Sequence, residues 1–295
     1  MRLANAPLVS LIIPVKNEGE HIKNTIESAV SVKTDCDFEI IVVDDASEDG
    51  CCDFLDDVCD GRMTKIKTEG LGAANARNAG AKQAKGDLFI FCDAHLFFED
   101  YWMERLIEPI QNGTAAATNP GIGDVQHPQN IGYGYTWNEK LEPKWNRAHS
   151  QEPHPSPLLA GGCLAISRKA FEHIGGFEKG FKVWGREDEE ISLKLWLFGY
   201  ECYIVPSVTI LHVFRPTAPP FELTWGHVDY NLLRMTLLHF SYERFYRSTK
   251  LIQHSLKTPL LANLLQTDVI EKRRLYEQKR VYDDEWFMKK FHIPF

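Results

Sequence analysis

Two hydrophobic periods alternate along the first third of the chain. Leu8–Pro14 (LVSLIIP) is a short apolar run stopped by proline, the pattern of a buried strand. Gly19–Val32 then sets Ile22, Ile26, Ala29 and Val30 at i, i+4, i+7 and i+8, one face of a helix. Phe38–Val43 (FEIIVV) reads as a second buried strand ending on Asp44-Asp45. A short helix through Phe54, Leu55 and Val58 follows, then a third strand at Thr64–Lys67. Leu71–Ala84 is an Ala-rich helix and Asp87–Cys92 (DLFIFC) a further buried strand. Strands without polar alternation, separated by helices, predict a mostly parallel sheet flanked by helices on both faces. Crossovers in such a sheet are right-handed, and ligands gather at the carboxyl ends of its strands.

The pattern then changes. Residues 119–157 are rich in Gly, Pro, Asn, Tyr and Trp and read as a long irregular insertion lining a cleft. Gly162–Ile166 resembles a strand, Lys169–Ile174 a short helix, and Arg186–Phe198 a helix with Ile191, Leu195 and Phe198 on one face. Cys202–Val205 and Val208–Val213 read as two short strands. From about Phe221 the pattern is helical, with Leu, Phe and Tyr interleaved with Lys and Arg. The expected division is an α/β unit over residues 1–220, with halves 1–95 and 96–220, followed by a helical extension over 221–295.

Composition narrows the class. With 295 residues, 44% apolar and 25% charged, the chain is ordinary for a globular protein, and no run approaches the roughly 18 apolar residues of a membrane span. The start, MRLANAPLVSLIIP, lacks the long apolar stretch of a signal peptide. Seven Cys, an odd number without CxxC spacing, read as reduced thiols and a cytoplasmic location. A net charge of −8 argues against nucleic-acid binding. The charge is uneven: Gly226–Phe295 carries 12 basic against 8 acidic residues, net +4, and the remainder 21 against 33, net −12.

Three places carry candidate chemistry. Asp93-Ala94-His95 follows an apolar strand, so a carboxylate and an imidazole on alternate positions can share one divalent ion such as Mn²⁺ at the ligand edge; a strand-end Asp beside an unrelated His is the plainer alternative. Trp184-Gly185-Arg186-Glu187-Asp188-Glu189-Glu190 opens a helix, where acidic residues are favoured by the helix dipole with or without a function. His212 ends a strand-like run, with Arg215 three residues on before a Pro-rich stretch. Asp44-Asp45-Ala46-Ser47 suits a ribose or base, or a simple turn; Arg77 on the Ala-rich helix reaches a diphosphate or lies in solvent. No GxGxxG follows the first strand, which argues against a Rossmann dehydrogenase.

SLIIPVKNEGEHIKNTIES, EIIVVDDASEDG, GLGAANARNAGAKQAKGD and FIFCDAH resemble the nucleotide-sugar half of the family 2 glycosyltransferases, enzymes of GT-A fold. The later segments are similar to the catalytic domain of the polypeptide N-acetylgalactosaminyltransferases: Trp137 and Trp145, Pro157–Gly162, FEKGFKVWGRED, ISLKLWLFGYECYIVPS and LHVFR. The resemblance implies a UDP-sugar donor and a Mn²⁺ or Mg²⁺ cofactor held by Asp93, His95 and His212. It implies Pro14 and Asn17 bordering the uracil, Asp45 on the uridine, Arg77 and Arg215 on the diphosphate, and Trp184, Gly162 and Glu187 lining the donor-sugar and acceptor pocket. The polypeptide transferases carry Glu-Asn after Trp-Gly-Gly and act with retention, whereas Glu187-Asp188 here resembles inverting enzymes in which the Asp is the base. The expectation is an inverting transfer with Asp188 as base, with retention as the alternative. A peptide, protein or glycan acceptor is implied, and a polysaccharide or glycolipid enzyme with its C-terminal region on a membrane surface is the alternative. A non-catalytic sugar-nucleotide binder is disfavoured by the intact Asp93, His95, His212 and Asp188. The Pro-rich stretch from Pro216 to Leu223 is expected to order on donor binding.

Overall fold

The structure is a computed structural model that describes residues 8–57, 61–147, 150–215 and 219–295. Its elements in chain order are β1 (Val9–Val15), α1 (His21–Ser31), β2 (Phe38–Asp45), β3 (Met63–Thr68), α2 (Ala73–Gln83), β4 (Leu88–Cys92), β5 (Leu96–Phe97), α3 (Trp102–Gln111) and β6 (Ala117–Asp124). Four short strands follow: β7 (Ile131–Gly132), β8 (Tyr135–Trp137), β9 (Pro143–Trp145) and β10 (His154–Pro155). Then come β11 (Cys163–Ser167), α4 (Arg168–Ile174), α5 (Glu187–Leu197), β12 (Cys202–His212) and five helices, α6 (Trp225–His239), α7 (Tyr242–Ser248), α8 (Lys257–Leu265), α9 (Val269–Lys279) and α10 (Asp284–Lys290).

The main sheet runs β10-β12-β6-β11-β4-β1-β2-β3, with β5 on β12 and β7 on β6. β4, β1, β2 and β3 are mutually parallel, in register Ile12 with Ile41 and Val9 with Leu88, as the apolar runs predict. Val9, Leu11, Ile12, Ile40–Val43 and Phe89–Cys92 are buried because helices cover both faces. Beyond β4 the sheet is mixed: β11 is antiparallel to β4 and β6, while β6 and β12 are parallel.

Two expectations are corrected. The stretch read as irregular from residue 119 begins inside β6, whose sequence ATNPGIGD is a buried strand. Its Gly and Pro mimic a loop, but Asn119 satisfies the backbone around it, donating to the Ala160 carbonyl (2.9 Å) and the Cys163 carbonyl (2.5 Å) and accepting from Ala160 N–H (2.9 Å). The two strands expected over 202–213 are one, β12, with a shift in register between Val205 and Thr209 around Pro206. The helix α3 was not among the predicted elements. Val58 and Pro216–Ala218, parts of the expected second helix and of the expected ordering segment, lie outside the described residues.

Helix α2 packs directly on β1 and β2, and Gly80 makes the approach possible. A Cβ there would stand 2.4 Å from Ile12 Cγ2 and 3.0 Å from Val43 Cγ2. Alanine is the better helix former by about 1 kcal/mol, yet overpacking costs about 1–3 kcal/mol. Gly80→Ala is therefore expected to lower stability, read as a lower midpoint in urea with unchanged slope.

The last helices join the body through buried charge. Arg234 of α6 is fully buried and pairs with Glu178 (2.8 Å) and Asp268 (2.5 Å). Glu190 of α5 pairs with Lys194 (3.0 Å) and with His239 of α6 (2.8 Å), all buried. Among the described residues, no helix is long and apolar enough to cross a membrane.

Candidate active site

The carboxyl ends of β1, β2 and β4, the N-terminus of α2 and the end of β12 surround a cleft of about 570 Å³, within the usual range for a small-molecule site. β4 delivers Asp93, and β5 turns back to pair with β12 so that Leu96 lies opposite His212. This pairing brings His212 beside residues more than a hundred positions earlier. Donor atoms of Asp93, His95 and His212 all lie within 4.8 Å of one another. His95 Nε2 is 3.2 Å from His212 Nε2, and His212 Nε2 is 3.5 Å from Asp93 Oδ2. Two ring nitrogens each about 2.1 Å from one ion, at a right angle, stand about 3 Å apart, so the donor set fits a shared divalent cation. Gly162 borders the cluster, and a Cβ there would make only ordinary contacts, 3.4 Å from His212 Cδ2 and 3.6 Å from Asp93 Oδ2.

Arg77, only 5% exposed, stands behind the cluster and donates to Asp93 Oδ1 (3.0 Å) and Glu187 Oε1 (3.2 Å). Burial works to raise the Asp93 carboxyl, but the bond from His212 and the Arg77 charge outweigh it and hold it well below the carboxylate range. Glu187 goes the other way. Its burial pushes it up to about 7 against the pull of Arg77, with Asp188 and Asp93 adding repulsion. Arg77 thus holds the end of β4 to the start of α5 through its two terminal nitrogens while also lining the cleft.

The other expected residues fall in three groups. Pro14, Asp45, Trp184 and Arg215 line the cleft, Trp184 with 44% of its surface exposed. Asp45 Oδ1 accepts from Thr68 Oγ1 (2.6 Å) and Leu71 N–H (2.6 Å) and Oδ2 from Gly72 N–H (2.8 Å), which fixes the loop into α2 and leaves Oδ2 one free lone pair. Asn17 is not on the wall. It adopts a left-handed φ of 54° and ties loops together, donating to the Pro220 carbonyl (2.9 Å) and accepting from Glu48 N–H (2.8 Å). Asp188 sits off the donor cleft at the first turn of α5, where Oδ2 accepts from Gly161 N–H (3.1 Å) and Oδ1 from Glu189 N–H (2.9 Å). Glu18 also lines the cleft and was missed: its Oε2 accepts from His95 Nδ1 (3.1 Å) and pairs with Arg215. Nothing in spacing joins it to a histidine 77 residues on.

A half-parallel, half-mixed sheet with an Asp-x-His turn over its cleft defines a GT-A glycosyltransferase fold. The profile described as Glycosyl transferase family 2 matches residues 10–175, and the chain belongs to that family. A second profile, described as N-terminal domain of galactosyltransferase, matches residues 143–216. The chain is 29% identical over 299 residues to polypeptide N-acetylgalactosaminyltransferase 8 of Drosophila melanogaster, covering 92% of this chain and 48% of that protein. It is 29% identical over 294 residues to inactive polypeptide N-acetylgalactosaminyltransferase-like protein 5 of Macaca fascicularis, covering 92% of this chain and 65% of that one. The crystal structure of GalNAc-T7 with UDP, GalNAc and Mn²⁺ superposes with a TM-score of 0.75 at 23% identity, covering 98% of this chain and 57% of that one. The chain spans about half the length of the first curated relatives it matches.

Proposed function

We propose that this chain transfers a sugar from a UDP-sugar to a nucleophile on a peptide, protein or glycan acceptor, with inversion and with Asp188 as base. The observation that carries the metal-dependent part is the convergence of Asp93, His95 and His212 within 4.8 Å at the strand ends. These three residues would hold Mn²⁺ or Mg²⁺, which would supply charge neutralisation for the diphosphate as UDP leaves. Arg215 adds positive charge at the mouth of the cleft and Trp184 an exposed aromatic face beside the sugar. Pro14 and Asp45 border the nucleoside. Asp188, a carboxylate that only accepts, takes the acceptor proton as the acceptor oxygen or sulfur attacks the anomeric carbon.

Retention is the second reading, favoured by the polypeptide N-acetylgalactosaminyltransferases among the relatives. The same relatives favour a peptide acceptor; a glycolipid or polysaccharide acceptor with α6–α10 against a membrane is the alternative. A cytoplasmic location stays part of the proposal, carried by the odd count of cysteines.

Donor hydrolysis tests this without an acceptor. Purified protein with each UDP-sugar in turn is expected to release UDP slowly from one of them with Mn²⁺, and not in EDTA. Binding of UDP without release from any donor, with or without candidate acceptors, would replace the enzyme by a sugar-nucleotide binder.

A further inference from the structure

Glu18 lies in the loop between β1 and α1, far in sequence from the two residues its carboxylate meets. It is 8% exposed, and its Oε2 is shared by two donors, His95 Nδ1 at 3.1 Å and the Arg215 guanidinium. An ionised carboxylate can only accept, so the proton of neutral His95 resides on Nδ1. Nε2 then carries the lone pair, and Nε2 is the atom that faces His212 Nε2 at 3.2 Å and belongs to the cluster with Asp93. The opposite tautomer would set a lone pair against the Glu18 carboxylate and an N–H into the space between the three donors. We propose that Glu18 is a positioning residue for cation binding: it fixes His95 in the tautomer and ring orientation that present Nε2 to the ion. Outer partners of this kind raise ligand basicity as well as aim, and losing one typically costs about 10–100-fold in metal affinity.

The inference rests on the metal reading above, and two measurements on the full chain keep their failures apart. The first needs no metal. Two-bond ¹H–¹⁵N correlation spectra of the imidazoles are expected to show His95 as the Nδ1–H tautomer, and a mixed or reversed tautomer in Glu18→Ala. An unchanged His95 signal in Glu18→Ala would overturn the role of Glu18 whatever the metal does. The second is Mn²⁺ titration by electron paramagnetic resonance without nucleotide. Glu18→Ala is expected to bind about 10–100-fold more weakly, with an unchanged melting temperature. Glu18→Gln, whose amide oxygen still accepts from Nδ1–H, is expected to recover most of that affinity. Equal Mn²⁺ affinity in Glu18→Ala and the unaltered chain would overturn the proposal, as would failure of Glu18→Gln to rescue. Failure of the unaltered chain to bind Mn²⁺, or full binding by His95→Ala, would remove the metal reading and this consequence with it.

Discussion

Asp188→Asn is expected to lower turnover about 10²–10⁴-fold, the usual contribution of general-base catalysis and about 3–5 kcal/mol of barrier. The change keeps size and one accepting oxygen, so one of the two amides that bind Asp188, Gly161 N–H or Glu189 N–H, keeps its partner. Affinity for the UDP-sugar should hardly move, because Asp188 is not among the residues lining the donor cleft. The retaining reading gives the other result: Asn is what the polypeptide transferases carry at the matching place, and the variant should stay active. A thiol acceptor also shrinks the effect, since a thiolate forms near neutral pH with less help. NMR of the product's anomeric proton decides the matter independently. A product with the donor's own configuration, together with an active Asp188→Asn protein, would eliminate inversion.

His212→Ala is expected to abolish Mn²⁺-dependent UDP binding, a loss of more than about 100-fold, since even an outer partner of a ligand is worth about 10–100-fold. Stability should fall by less than about 2 kcal/mol, because the ring packs against Phe214 and His95 at the cleft and its Nδ1 has no hydrogen-bond partner among the described residues. Asp93→Ala should lose binding too, but at a further cost in stability. Arg77 is almost fully buried and would lose one of its two carboxylates. Calorimetric titration of UDP with and without Mn²⁺, beside thermal melts of each variant, separates the two effects. Full metal-dependent binding by His212→Ala would refute the three-ligand site.

The two positively charged residues assigned to the diphosphate both line the cleft, and both are paired with carboxylates there. Arg77 sits where burial forces it to pair, and its terminal nitrogens face Asp93 and Glu187. Arg215, beyond the end of β12, faces the cleft and has Glu18 as its partner. An arginine on an Ala-rich helix can lie in solvent or reach the cleft, and the packing of α2 on β1 and β2 selects between them. Asn17 and Pro14 lie three positions apart, yet Pro14, near the end of β1, lines the cleft while Asn17, in the loop after it, binds neighbouring loops.

What the sequence determined alone was local. Apolar runs of strand length between helical periods fixed β1, β2, β4, α1 and α2 and their parallel order, because a strand buried on both faces has no other pattern available. Asp93 and His95 were legible as a pair because alternate residues of one extended segment point the same way. β6 was not legible: the bonds of Asn119 to Ala160 and Cys163 that let ATNPGIGD run as a strand come from a segment some forty residues on. Nor could sequence spacing join His212 to His95, or Glu18 to His95 and Arg215. Those contacts exist because β5 pairs with the end of β12 and because the loop after β1 lies over the end of β4. A hydrophobic period records which face of an element is buried, whereas a site is built from polar side chains at element ends. The pattern that writes the sheet therefore carries no record of which ends meet.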